Sequence, residues 1–293
     1  MSKLLDELLC EVEASTGGAE TRVARAVTAR RFCEALAEAN HRPISIDQVK
    51  TGAVMKFISA MRASGLAERT IHNRVAHLRA LLPARVFKGF TNARLGLQAT
   101  SRAGTKRPIT EAELRERLAG IRDPGCRAAV ELQRALGLRA QESIRSAAQL
   151  KDWQRQLERG QAVVVSLGTK GGRVRHVWPS DRERALRAVR EAIVICKRQG
   201  GHLVVGACRT DRNGRPTSPL RSAMTKLENA TRRAGFVGEI SQHSNRYAFA
   251  AEQVRAYQAD GYERRDASTL TSQDLGHGDG RGTYVDRVYV QRS

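Results

Sequence analysis

The sequence predicts a mainly α protein in two parts with one small antiparallel β-sheet, and three observations carry that. Apolar residues recur at i, i+3, i+4 and i+7 over the first hundred positions, the signature of amphipathic helices. The periodicity lapses once, between about residues 97 and 109, where LQATSRAGTKRPI brings in Gly, Ser, Pro and basic side chains. Beyond it, a single β-branched run is followed by a glycine-rich turn and an alternating return strand.

The opening MSKLLDELLCEVEAS is acidic and amphipathic, with no secretory hydrophobic segment. In GAVMKFISAM, Val54, Phe57, Ile58 and Met61 share one helical face; in RTIHNRVAHLRALL, Ile71, Val75, Leu78 and Leu82 share another. Both stripes are core. Opposite the second lie His72, Arg74, His77 and Arg79, a basic face of the kind usually left to solvent and also suited to lying along a polyanion. These positions define an N-terminal helical domain over 1–97, joined by a linker over 98–109 to a second domain over 110–293.

The second domain starts on a capping box: the Thr110 hydroxyl accepts the amide of Glu113 while the Glu113 carboxylate reaches back. In AVVVSLGTKGGRVRHVW the turn Gly-Thr-Lys-Gly-Gly closes a hairpin with Lys170 near its tip. The return strand sets Val174, His176 and Trp178 on one face and Arg173, Arg175 and Val177 on the other. Helices resume at Ser180-Asp181 and at Ser218-Pro219, a cap followed by proline in the first turn, with Leu220, Met224 and Leu227 on one side. The stretch ADGYERRDASTLTSQ, 259–273, is expected to be a solvated, charged loop, one that also could reach DNA or a partner.

Charge narrows the function. The chain has 293 residues, 51 Lys+Arg against 30 Asp+Glu, and a formal net charge of +21. Residues 1–100 carry 15 basic and 9 acidic side chains and the remainder 36 and 21, so the excess is spread over both parts. Charge distributed over folded elements suits a long phosphate track such as duplex nucleic acid. Aromatic residues are only 4%, too few to favour stacking on single-stranded bases. No stretch of about 18 apolar residues is present to span a bilayer, and no basic amphipathic helix with bulky aromatic anchors marks a membrane surface. Cys10, Cys33, Cys126, Cys196 and Cys208 are odd in number and lack CxxC spacing, which points to neutral thiols in a reducing cytoplasm rather than a metal site.

Taken singly, the polar candidates are ordinary. Arg139 and Glu142 form an i, i+3 pair, Lys170 sits on a turn, His243 and Arg246 share a helical face, and His277 lies in a loop. Their order is not ordinary. LGLRxxE, a hairpin TKGG, HxxR, LGH and a tyrosine near the C-terminus together resemble the tyrosine recombinase (phage integrase) family over most of the chain. The likeness is specific in the second domain and generic in the first.

The resemblance implies an N-terminal helical DNA-binding bundle and a tyrosine-recombinase catalytic domain that together clamp duplex DNA. It further implies a reaction without cofactor or metal. Arg139 and Arg246 match the arginines that hold the scissile phosphate, and Glu142 the acidic residue that supports the first. Lys170 matches the lysine that gives a proton to the leaving 5′ oxygen. His243 and His277 match the histidines that bind phosphate or move the nucleophile's proton, and Tyr289 matches the nucleophile. Tyr284 is seven and Tyr289 twelve residues past His277, on either side of the family's spacing, so Tyr284 stays open as the alternative nucleophile. Tyr289 is favoured by its polar-polar-aliphatic-Tyr frame, with GDGRG as a lengthened turn that brings Arg281 near phosphate. Implied partners are double-stranded recombination sites and three further copies in a tetramer. Accessory DNA-bending or directionality proteins are compatible with it, and the protein is expected in the cytoplasm, at the nucleoid when bound to DNA. Two other readings share these residues: a catalytically silent architectural or regulatory DNA-binding protein, and a type IB-like topoisomerase. The four residues after Tyr289 are fewer than many relatives carry, which puts the usual coupling between protomers in doubt.

Overall fold

The computed structural model describes residues 2–98, 104–207, 210, 216–278 and 280–290. The chain separates into two compact units, 1–101 and 102–293. In the first unit the described helices are α1 (Lys3–Ala14), α2 (Ala19–Glu38), α3 (Thr51–Ala63) and α4 (Glu68–Leu81). The eight stripe residues on and just after α3 and α4 are all buried, and the Phe32 and Phe57 rings meet edge to face at 5.4 Å between centroids. The basic face of α4 is largely tied to its own unit. His77 Nδ1 is 2.9 Å from the Thr28 hydroxyl, His72 Nε2 is 2.6 Å from the Gln98 carbonyl, and the Arg79 guanidinium lies over the Phe87 ring.

The second unit contains α5 (Glu111–Ala119), α6 (Pro124–Leu136), α7 (Ala140–Arg145), α8 (Leu150–Glu158), strands β1 (Val163–Val165) and β2 (Arg175–Val177), and α9 (Arg182–Arg198). Then come α10 (Pro219–Arg233), α11 (Gln242–Ala259), α12 (Arg264–Asp274), the single turn α13 (Gly282–Tyr284) and a π-helical turn over Val285–Val290. The start signals act as the sequence implies. Thr110 and Glu113 complete their capping box, the Asp181 side chain caps α9, and Ser218 with Pro219 opens α10. Residues 106–109 lie on this unit, with the Arg107 amide donating to the Glu239 carbonyl and the Arg107 guanidinium paired with Glu113; 99–103 lie outside the described residues.

Helix α6 packs on both α9 and α11, and α11 in turn carries α12 and the π-turn. The sheet is one antiparallel pair with Val163 opposite Val177, Val164 opposite His176 and Val165 opposite Arg175. Trp153, fully buried on α8, donates its indole N–H to the Val164 carbonyl at 2.8 Å and fixes the hairpin to the helical layer.

The segment 259–273, expected to be a solvated loop, is instead mostly helix α12. Its buried residues are small: Ala267, Ser268, Thr271 and Ser272, at i, i+1, i+4 and i+5. The stripe has helical spacing but little hydrophobicity, so an apolar pattern misses it. Among the cysteines, burial pushes the Cys33 thiol up to about 11 and the Cys126 thiol up to about 12, so both stay protonated, while Cys10 is exposed; Cys208 lies outside the described residues. No helix among the described residues is long and apolar enough to cross a membrane.

Candidate active site

Four segments bring the candidate residues together: the α6–α7 turn, β2, the start of α11, and the run from α12 to the π-turn. Helix α6 ends at Gly137, whose φ of 58° is left-handed and whose missing Cβ leaves room for the Phe249 ring; a Cβ there would stand 2.5 Å from a ring carbon. The turn sets Arg139 at the N-cap of α7 and Glu142 one turn on. The Glu142 carboxylate accepts the Arg139 backbone N–H at 2.8 Å through Oε2 and the Arg139 guanidinium at 2.7 Å through Oε1.

The Ser244 hydroxyl accepts the Ser241 amide and fixes the start of α11, which places His243 and Arg246 in its first turn. Arg246 is 1% exposed and donates from its two terminal nitrogens to the carbonyls of Gly137 and Leu275. Each terminal nitrogen carries two N–H groups, so donor capacity remains after those bonds. Leu275 also receives a 3.4 Å contact from Arg139, so this carbonyl of the LGH turn seats both arginines, while the Gly137 carbonyl of the LGLR turn holds Arg246.

Sequence reasoning placed Arg175 on a strand face without giving it a role, and the structure puts it at the centre. Its guanidinium donates to Glu142 Oε2 at 2.8 Å and to the Asp274 backbone carbonyl, and it is 4% exposed. The available signal was the alternation that set Arg175 on the same inward face as the core residue Val177. Asp274 itself is buried behind the cluster. Its carboxylate accepts the Trp178 amide at 3.1 Å, the Gln253 side-chain amide at 3.0 Å and the Tyr257 hydroxyl at 2.8 Å, and burial raises it to about 6.

Two guanidiniums, those of Arg139 and Arg175, therefore pair with one carboxylate, and the charge of a third, Arg246, acts on it without a direct bond. Burial alone would raise Glu142, but Arg175, Arg246 and Arg139 outweigh it and hold it down at about 2. Burial draws Arg246 down to about 10, with Arg139 and Arg175 adding to the effect, and it stays cationic at neutral pH. A buried excess of positive charge is costly unless an anion completes it.

Beside this seat stands Tyr289, 3% exposed at the end of the π-turn. Its hydroxyl is 3.2 Å from His277 Nε2 and 3.3 Å from His243 Nε2, and its ring lies 4.6 Å from that of Tyr247 between centroids. His277 is neutral: burial first, then Arg246, Arg139, Arg281 and His243, lower it to about 3. Tyr284 packs its ring 5.6 Å from His277, yet among the described residues no hydrogen bond reaches its hydroxyl. Lys170 is exposed on the hairpin loop, and among the described residues no hydrogen bond or ion pair joins it to the cluster. The loop is nonetheless anchored beside it, because Gly168 (φ 77°) lies so close to the α7 start that a Cβ would be 2.8 Å from the Gln141 carbonyl oxygen.

The arrangement suits phosphoryl transfer: fixed guanidinium forks for non-bridging oxygens, a phenol as nucleophile, and a neutral imidazole to take its proton. Among the described residues no group of three or more His, Cys, Asp or Glu is arranged to hold a metal ion.

Comparisons with known proteins agree on one family. Residues 96–252 match the family model described as Integrase, and residues 1–86 match the model described as Phage integrase, N-terminal. No curated protein sequence matches the chain. Among solved structures, the fold resembles the Tn1549 transposon integrase in complex with transposon right end DNA, with a TM-score of 0.59 at 17% identity, covering 100% of this chain and 96% of that one. It also resembles a lambda integrase tetramer bound to a Holliday junction, with a TM-score of 0.59 at 14% identity, covering 99% of this chain and 78% of that one.

Proposed function

The chain belongs to the phage integrase family, and on that premise we propose that it is a site-specific tyrosine recombinase whose reaction proceeds as follows. Tyr289 Oη attacks the scissile phosphorus, the bond from phosphorus to the 5′ oxygen breaks, and a 3′-phosphotyrosine ester joins protein to DNA. The phenolic proton passes to His277 and the departing 5′ oxygen takes a proton from Lys170. Attack by a 5′ hydroxyl of a second strand reverses the step and reseals the DNA, so the ester conserves the bond and no nucleotide cofactor is consumed.

What supports this reading is one juxtaposition, a buried tyrosine hydroxyl held between two imidazoles next to a carboxylate that pairs with two guanidiniums and feels the charge of a third. Arg139 and Arg246 are assigned to the non-bridging oxygens, where a lost donor costs about 3 to 4 kcal/mol by analogy with an oxyanion hole. An unperturbed phenol has a pKa of about 10, so attack at neutral pH needs a proton acceptor, and His277 is unprotonated and in reach. His243, the more exposed imidazole, is assigned to the phosphate. Residues 1–97 are assigned to duplex binding and 110–293 to catalysis, with four copies acting on two sites. A mobile element is the proposed context, and accessory proteins would set direction.

The test starts from duplexes selected by the protein out of a random-sequence library. A nicked suicide version of the selected duplex should trap a covalent protein–DNA adduct; Tyr289→Phe should abolish it and Tyr284→Phe should preserve it. Binding without any adduct would favour the silent DNA-binding reading, and relaxation of a plasmid lacking the selected sequence would favour the topoisomerase.

A further inference from the structure

We propose that Arg175 is a positioning residue for strand cleavage: it occupies one oxygen of Glu142 and thereby sets how Arg139 is presented to the phosphate, while holding the turn that carries His277. The inference rests on the recombinase reading above.

Arg175 does not reach substrate. Its side chain is 3% exposed, and its terminal nitrogens point to internal acceptors, Glu142 Oε2 and the Asp274 carbonyl, with a longer 3.4 Å contact to the Gly137 carbonyl. Its effect is on how the Glu142 carboxylate is divided. Oε2 serves Arg175 and the Arg139 backbone amide, which leaves Oε1 alone for the Arg139 guanidinium, held through Nη1 at 2.7 Å. Without Arg175, Oε2 keeps only the Arg139 backbone amide and regains an acceptor site, so both oxygens can take the Arg139 guanidinium fork to fork. Removing Arg175 would allow that pairing and turn the Arg139 N–H groups inward, away from the side on which it is exposed.

The second contribution is to the LGH turn. Gly276 has a φ of 65°, and a Cβ there would lie 2.7 Å from Arg175 Cδ, so the turn is fitted against the aliphatic stem of this arginine. One residue earlier, Leu275 offers the carbonyl shared by Arg139 and Arg246; one residue later stands His277. Arg175 therefore touches both turns that deliver site residues and the carboxylate between them. A buried ion pair is a poor source of stability compared with a hydrophobic pair of similar volume, so what this one supplies is geometry.

The experiment uses the full chain and the nicked duplex selected above, comparing wild type, Arg175→Met, Arg175→Lys, Glu142→Gln and the double variant Arg175→Met/Glu142→Gln. Single-turnover adduct formation is read together with duplex affinity. Arg175→Met should slow adduct formation by about tenfold to a hundredfold, the scale of a small misplacement, with the dissociation constant changed by less than about threefold. Arg175→Lys should recover part of the loss. In the Glu142→Gln background, Arg175→Met should add clearly less than it costs alone, because the contact with Glu142 is common to both and methionine keeps an aliphatic stem against Gly276. A full rate in folded Arg175→Met, losses that multiply in the double variant, or a fall in affinity that accounts for the slower rate would each overturn the proposal. If Arg175→Met does not fold, Arg175→Lys alone and with Glu142→Gln gives the same comparison; failure of both to fold beside a folded Glu142→Gln would make Arg175 a stability residue and overturn it as well. Absence of any adduct from the wild type would instead refute the recombinase reading.

Discussion

His277 is kept neutral by burial and by the arginines around it, and that neutrality has a sign in stability. Its folded value of about 3 lies below the unperturbed 6.5, so between these the unfolded chain binds a proton that the folded chain refuses. The associated stability is fully present above about pH 6.5 and is lost as the pH falls toward 3. Glu142 acts in the same direction over a lower window, from 4.5 down to about 2, whereas Asp274, raised from 3.8 to about 6, opposes them: its contribution is lost as the pH rises through that interval. Urea unfolding of wild type and His277→Asn between pH 7 and 4 should show a shallower loss on acidification in the variant; identical slopes would contradict the neutral imidazole. At this scale the sequence exposed the candidate side chains that the fold gathers around Tyr289, because arginine, histidine and tyrosine in a fixed order are visible as letters. It did not expose Arg175, whose meaning depends on a carboxylate 33 positions earlier in the chain.

The glycines of LGLR and LGH are best understood as parts of turns. Gly137 and Gly276 combine left-handed φ with close neighbours, Phe249 and Arg175, and their turns supply the carbonyls that seat the arginines. Gly276→Ala should cost about 1 to 2 kcal/mol for the backbone alone, read as a lower melting temperature, and should slow adduct formation by displacing Arg175. At the start of α6, Asp123 accepts the Cys126 amide at 2.8 Å and pairs with Lys226; Asp123→Ala should destabilise by about 1 kcal/mol without altering the site. Caps and apolar stripes are local, and the sequence displayed them. The π-turn is different. A helix closing i to i+5 brings Tyr284 and Tyr289, five residues apart, onto the same side, with both rings within 5.6 Å of His277. A reading in periods of 3.6 could not foresee that, and α12 escaped for the related reason that its buried stripe is built from alanine, serine and threonine.

Over the whole molecule, a net charge of +21 spread through both units is the property that composition alone supplies. Duplex affinity should therefore fall steeply with salt, by about a thousandfold or more between 50 and 200 mM if six or more phosphates are neutralised; titration at several salt concentrations with a flat response would count against a backbone-tracking interface. The sequence by itself determined the helical class and the single hairpin, and it displayed the lapse in periodicity, the excess of positive charge and the order of the candidate residues, since each follows from local periodicity, composition or motif. Only the tertiary structure decided which tyrosine hydroxyl meets the histidines, that a third arginine shares the glutamate, and that the segment before LGH is helical. Those outcomes depend on contacts between positions far apart in the chain, where burial and shared acceptors, not neighbours in sequence, set the free energy.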